Sequence, residues 1–115
     1  MSVTISSTTA IGTWSGWAGT TPAAKTLSVD VAVTIDNSVD GGSSHATVAY
    51  TLDGSTWTNL VSTTSTIATS TYTASVPSGT NLANVQVQAT CLSGVPRTGG
   101  AESDCTMTVA NLKID

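Results

Sequence analysis

The chain has 115 residues, a formal net charge of −4 and only 9% charged residues, with Lys25, Arg97 and Lys113 as its basic side chains. That length sets one domain, residues 1–115, able to bury one modest core. So small a basic footprint excludes nucleic acid and an anionic membrane surface as partners. No run of about 18 apolar residues exists to span a bilayer.

Composition then points to strands. Thr (23) and Ser (16) dominate, and there is no Phe. Yet 39% of residues are hydrophobic, more than a disordered chain carries. Many are Val or Ile, which with Thr are β-branched and suit a pleated surface.

Val3 and Ile5 predict a short first strand. The opening MSVTISSTTA has no basic n-region and no continuous apolar core, so it does not read as a signal peptide. The expectation is synthesis in a cytoplasm without a leader, or a module cut from a longer secreted protein. IGTWSGWAGTTP follows and reads as a loop carrying Trp14 and Trp17.

The clearest strand is Lys25–Asp36, with Leu27, Val29, Val31, Val33 and Ile35 on one face. The turn-forming run DNSVDGGSS ends it. His45–Asp53 predicts a strand with Val48, Tyr50 and Leu52 inward, and Trp57–Val61 returns from the turn. Ser65–Ala68 and Thr71–Val76 give two weaker strands before the turn Pro77-Ser78-Gly79. Leu82–Cys91 alternates through Val85, Val87, Ala89 and Cys91. Asp104–Asp115 places Cys105, Met107 and Val109 on one face, then switches parity to Leu112 and Ile114. One extra residue near Ala110-Asn111 restores the inward face, so a bulge is expected there. The fold class is all-β: a single antiparallel β-sandwich of seven to eight strands, jelly-roll or Ig-like.

The stretch YTLDGSTWT, residues 50–58, resembles the Asp-box of sialidase propellers but is one residue short. It occurs once, in a chain too small for a propeller. Asp53-Gly54 is a strong two-residue turn signal. An even loop sets Tyr50 or Leu52 opposite Trp57 and turns Trp57 inward. A three-residue loop would move it to the Thr51 face. The even loop is the expectation, with Tyr50, Asp53, Gly54 and Trp57 as a structural hairpin.

Cys91 and Cys105 flank the loop LSGVPRTGGAESD. If their strands pair as a hairpin, the two face each other at its base, and a disulfide is expected. The other reading is two buried thiols in contact. Two Cys and one distant His lack the ligands of a zinc site.

Trp14 and Trp17 have two readings. They plug the end of the sandwich or a subunit contact, since Trp is enriched at interfaces. Alternatively, with Tyr72, they form a platform for sugar rings. Asp36, Asp40 and Asp53 lie at loop ends without calcium-loop spacing, and turn formation accounts for them. His45 stands alone, no Ser sits in a nucleophile motif, and Glu102 and Asp104 share one Gly-rich loop. The reading is no enzyme, no cofactor and no metal.

YTLDGSTWT also resembles hairpins of the Y-S-x-D-G-x-T-W type in Ig-like and jelly-roll domains of bacterial and phage surface proteins. The whole chain, in its Thr/Ser-rich strands, few charges, small size and leaderless start, resembles small β-sandwich bacteriophage proteins of the capsid decoration or cement type. That resemblance implies a non-catalytic virion protein that binds major capsid protein or other virion subunits. It implies a homo-oligomeric or lattice-bound state; carbohydrate is a partner on the platform reading of Trp14 and Trp17. Contacts would come from the first strand, Trp14, Trp17 and the loop at 92–104, including Val95 and Arg97. The alternatives are a carbohydrate-binding module, and a pilus, adhesin, tail or neck domain.

Overall fold

Leu27, Val29, Val31 and Val33 are buried at alternate positions of one long strand, and Ile35 continues the row half-buried. A period of two on a β-branched segment leaves the backbone little choice but a strand with one face inward. The computed structural model describes the backbone of residues 2–6, 9–36, 44–92 and 104–115, and the side chains of 12–35, 44–92 and 105–115. Its strands are β1 (Ser2–Ser6), β2 (Thr9–Trp14), β3 (Lys25–Asp36), β4 (His45–Thr51), β5 (Trp57–Thr63), β6 (Ile67–Val76), β7 (Gln86–Leu92) and β8 (Asp104–Ile114). A single 3-10 turn at Leu82–Asn84 is the only helical element among the described residues.

The strands form two antiparallel sheets, ordered β1-β8-β3-β6 and β2-β7-β4-β5. Pairing is nested: β1 with β8, β2 with β7, β3 with β6, β4 with β5. The chain therefore runs out along four strands and back along four, as one ribbon folded at the β4–β5 hairpin. Wrapping that ribbon sends successive pairs to opposite sheets, which is the jelly roll rather than the Ig-like arrangement.

The core lies between the sheets. Val fills most of it, with Leu27 and Met107 the largest fully buried side chains. Tyr50, Leu52, Tyr72, Trp14 and Trp17 are half-buried and pack around its margin. In a chain without Phe, these side chains supply the bulk that Val does not.

The expected bulge in β8 is present. Ser28 faces Lys113 but Asp30 faces Ala110, so β8 carries one extra residue. Asn111 takes a left-handed φ of 54°, which Asn tolerates better than most side chains. Beyond it, Leu112 and Ile114 pack on the core, as the parity switch required.

Four sequence expectations change. Thr9–Trp14 is a strand, not a loop, although Gly12 and a weak apolar pattern disguise it. The two weak strands after the hairpin are one, β6, with a bulge across Ala68-Thr69 breaking the period. Residues 82–84 form the 3-10 turn because the Asn81 side chain caps it, accepting from the Ala83 N–H at 3.1 Å. Finally, β7 and β8 do not form a hairpin; they lie in different sheets.

One end of the sandwich is closed by hydrogen bonds between loops. Thr21 is buried, donates its hydroxyl to the Pro77 carbonyl (2.7 Å) and accepts from the Thr80 N–H (3.0 Å). The Leu82 N–H reaches the Gly19 carbonyl at 2.8 Å. These bonds hold the segment after Trp17 against the β6–β7 connection.

Candidate functional site

The β4–β5 hairpin is built differently from the expected two-residue turn. Thr51 pairs with Trp57 and Tyr50 with Thr58, so the loop is Leu52–Thr56, five residues long. An odd loop moves Trp57 from the core face to the Thr51 face. Trp57 is 40% exposed and is the one large exposed hydrophobic residue among those described. The inward assignment of Trp57 is thus overturned, while Tyr50 and Leu52 do pack inward.

The reason is the Asp53 carboxylate, which organises the whole loop. Its Oδ1 accepts the backbone N–H groups of Thr56 and Ser55, both at 2.8 Å, and the Thr51 hydroxyl at 3.0 Å. The Thr51 hydroxyl in turn accepts the Gly54 N–H at 3.0 Å. Gly54 has a φ of +87°, a conformation that a side chain would strain. A two-residue turn has no use for an acceptor of this reach; a five-residue loop does. The Thr56 N–H, then the Ser55 N–H and the Thr51 hydroxyl, hold the Asp53 carboxyl well below its ordinary range. Thr51 itself is fully buried although it lies on the outer parity of β4, so the flanking residues and the loop cover it.

The outer face of the β2-β7-β4-β5 sheet is laid out by register. Gln86, Thr51 and Trp57 form one row across β7, β4 and β5. Gln88, Ala49 and Asn59 form the next. Small residues on the central strand lie between amides on one side and Trp57 with Asn59 on the other. His45 is the ionisable side chain among the described strand residues of this face, and it pairs with Leu92 at the far end.

The opposite sheet carries a polar groove on its outer side. Ser28, Asp30, Thr71, Asn111, Leu112 and Lys113 line an open depression of about 560 Å³ at the β8 bulge. The Asn111 amide donates to Asp30 Oδ2 at 2.8 Å and the Thr71 hydroxyl to Oδ1. These bonds, Asn111 first, lower the Asp30 pKa, and the nearby Lys113 adds to the effect. Both carboxylate oxygens are therefore engaged in holding β3, β6 and β8 together. A smaller depression of about 200 Å³ lies beside the hairpin, lined by Tyr50, Leu52, Asp53, Thr56 and Thr58.

Cys91 and Cys105 form a disulfide, with their Cα atoms 5.7 Å apart. The bridge was expected, but its place was not. Because β7 and β8 belong to opposite sheets, it ties one sheet to the other. Stacked sheets ordinarily lie about 10 Å apart, so they draw together here.

Trp14 pairs with Val87 on the inward register, and both Trp14 and Trp17 pack half-buried on the core. Tyr72 does the same opposite Val29. Their positions favour the core-plug reading over an open platform. Val95, Arg97, Asp40 and Glu102 lie outside the described residues, as do the side chains of Asp36 and Asp104. No group of three potential metal ligands occurs among the described residues. His45 is half-buried at the start of β4. The signal that sequence reasoning missed is Thr51: a hydroxyl two residues before Asp53 that bonds into the loop and lengthens it. No family model, curated protein or solved structure matches the chain.

Proposed function

We propose that this chain is a non-catalytic structural protein of a bacteriophage virion, bound to the shell of major capsid protein as an auxiliary decoration or cement subunit. The observation that carries the reading is the edge strand β6. Its stretch Ser70–Val76 is regular and ends the sheet. It contains no charge, no proline and no bulge, the devices by which freely diffusing proteins blunt such an edge. An edge left this open suits a protein whose neighbours cover it. β5, at the edge of the other sheet, is also uncharged, though a bulge near Leu60 interrupts it.

One outer sheet face supports the same reading. The described outer positions of the β1-β8-β3-β6 sheet are mostly short Thr and Ser side chains, such as Ser28, Thr73, Ser75 and Thr108, which lose little rotamer freedom on docking compared with Lys or Glu. The inter-sheet disulfide and the hydrogen-bonded end stiffen the domain, as a mechanical clamp requires. Eight-stranded jelly rolls also recur in viral capsid and lectin domains, an analogy of fold alone. The adhesin alternative calls for a sheet short of one strand, and each sheet here has four.

The test is association. Recombinant chain is mixed with particles lacking it and sedimented. Saturable co-sedimentation at a fixed ratio to the capsid protein supports the reading; recovery only in the supernatant opposes it.

A further inference from the structure

Trp57 is the residue whose placement the fold makes hardest to explain by stability alone. It is the one large apolar side chain left exposed among those described, and it stands beside the hydrogen-bonded loop centred on Asp53. We infer that the outer face of the β2-β7-β4-β5 sheet around Trp57 is a binding site for a neutral glycan.

Three features specify that ligand. The first is the indole. Its face carries a negative quadrupole, to which the slightly positive C–H face of a pyranose ring is drawn. The second is the set of amides. Asn59 lies two residues along β5 from Trp57, a separation of about 7 Å, and Gln86 lies two strands across, about 10 Å. Gln88 completes the other side, opposite Asn59. Each amide offers both donors and an acceptor, the pairing that sugar hydroxyls need. Ala49, between Gln88 and Asn59, is small and leaves that row low, while Thr51 in the row of Trp57 is fully buried beneath its neighbours.

The third is charge. The ionisable group among the described strand residues of this face is His45, at the far end of the sheet. In the adjoining loop Asp53 Oδ1 is taken up by the loop's own donors, and its carboxylate adds negative rather than positive charge. Among the described strand residues of this face, a phosphate, a sulfated sugar or a uronic acid finds no Lys or Arg. A neutral hexose or N-acetylhexosamine chain needs none. Preorganisation completes the case: the loop fixes the backbone immediately before Trp57, so little ordering remains to oppose binding.

The inference is independent of the virion reading, because a glycan site on a decoration subunit and on a secreted module would use the same residues. The experiment is a titration of the isotope-labelled chain with neutral hexasaccharides of glucose, mannose, xylose, galactose and N-acetylglucosamine. Sulfated and uronic-acid polymers serve as comparison. Indole N–H resonances are followed by NMR. At least one neutral oligosaccharide is expected to shift the Trp57 indole signal, leaving those of Trp14 and Trp17 in place. Trp57→Ala is expected to weaken binding about ten-fold or more, and Gln88→Ala by a few-fold. Gln88→Ala leaves the hairpin untouched and serves if Trp57→Ala misfolds. No response to any neutral sugar, a response only to the anionic polymers, or binding undiminished in both variants would overturn the inference. So would a Trp57 signal that moves only on adding capsid particles, which would make the ring a subunit contact.

Discussion

Thr51 and Trp57 face each other across the β4–β5 hairpin, one fully buried and the other 40% exposed. Their pairing decides what the hairpin is for. Had Tyr50 or Leu52 faced Trp57, the ring would belong to the core. With Thr51 opposite, the loop gains a residue, its bonds converge on Asp53, and the ring stands on the outer face.

The first prediction concerns that carboxylate. Asp53→Ala removes the acceptor shared by Thr56, Ser55 and Thr51 and should lower thermal stability. The sign of its pH dependence follows from the lowered Asp53 pKa. A depressed folded pKa stabilises the fold above the unfolded value of 3.8, and the benefit disappears as pH falls through the folded value. The difference in melting temperature between native chain and Asp53→Ala should therefore be constant from pH 7 to about pH 5 and shrink steadily below about pH 4. A difference that grows in acid would contradict the assignment.

The disulfide yields a second. Cys91 and Cys105 are 14 residues apart and join the two sheets. Replacing both by Ala should cost about 3 kcal/mol in urea unfolding under oxidising conditions. Under strong reductant most of that gap should close, because the native chain then loses the same constraint. A gap unaffected by reductant would assign the cost to packing instead.

Core filling can be checked at Met107, among the largest fully buried side chains. Met107→Ala should destabilise by roughly 2–5 kcal/mol. That is a large share of the 5–15 kcal/mol typical of whole proteins. A loss below about 1 kcal/mol would mean that the sandwich collapses around the gap.

Much of this was legible in the sequence, and the failures have physical causes. Parity alone placed Leu27 through Val33, Val87, Ala89, Met107 and Val109 in the core. It also located the bulge at Asn111, because a buried face cannot change parity without an extra residue. Parity could not place Trp57, since one residue of loop length inverts the answer and a side-chain hydroxyl set that length. Sheet membership was equally hidden. Cys91 and Cys105 are 14 residues apart in sequence, a spacing compatible with a hairpin or with a crossing between sheets. Nesting of β1 with β8 is a relation between the chain's two ends that no local pattern carries. For the candidate site, exposure was the missing quantity: Trp14 and Trp17 drew attention by their neighbours, while the open ring was Trp57.

The fourth prediction addresses the open edge. Thr73 sits mid-strand in β6, paired with Ser28 and exposed. Thr73→Lys places a charge on that edge, a device natural proteins use against edge pairing. Stability should change by no more than about 0.5 kcal/mol, as for an ordinary surface substitution. Incorporation into particles should fall about ten-fold or more, the effect of roughly 1.4 kcal/mol on association. Unchanged incorporation would remove β6 from the contact.

The central claim is that the chain belongs to a virion, and cross-linking mass spectrometry of purified particles tests it most directly. Lys25 pairs with Val76 at the end of the β6 edge and offers an amine beside the proposed contact. The account predicts the chain in the particles at a fixed ratio to the major capsid protein, with cross-links from Lys25 to a capsid subunit. Particles that lack the chain, or a chain recovered only from the surrounding medium, would contradict it.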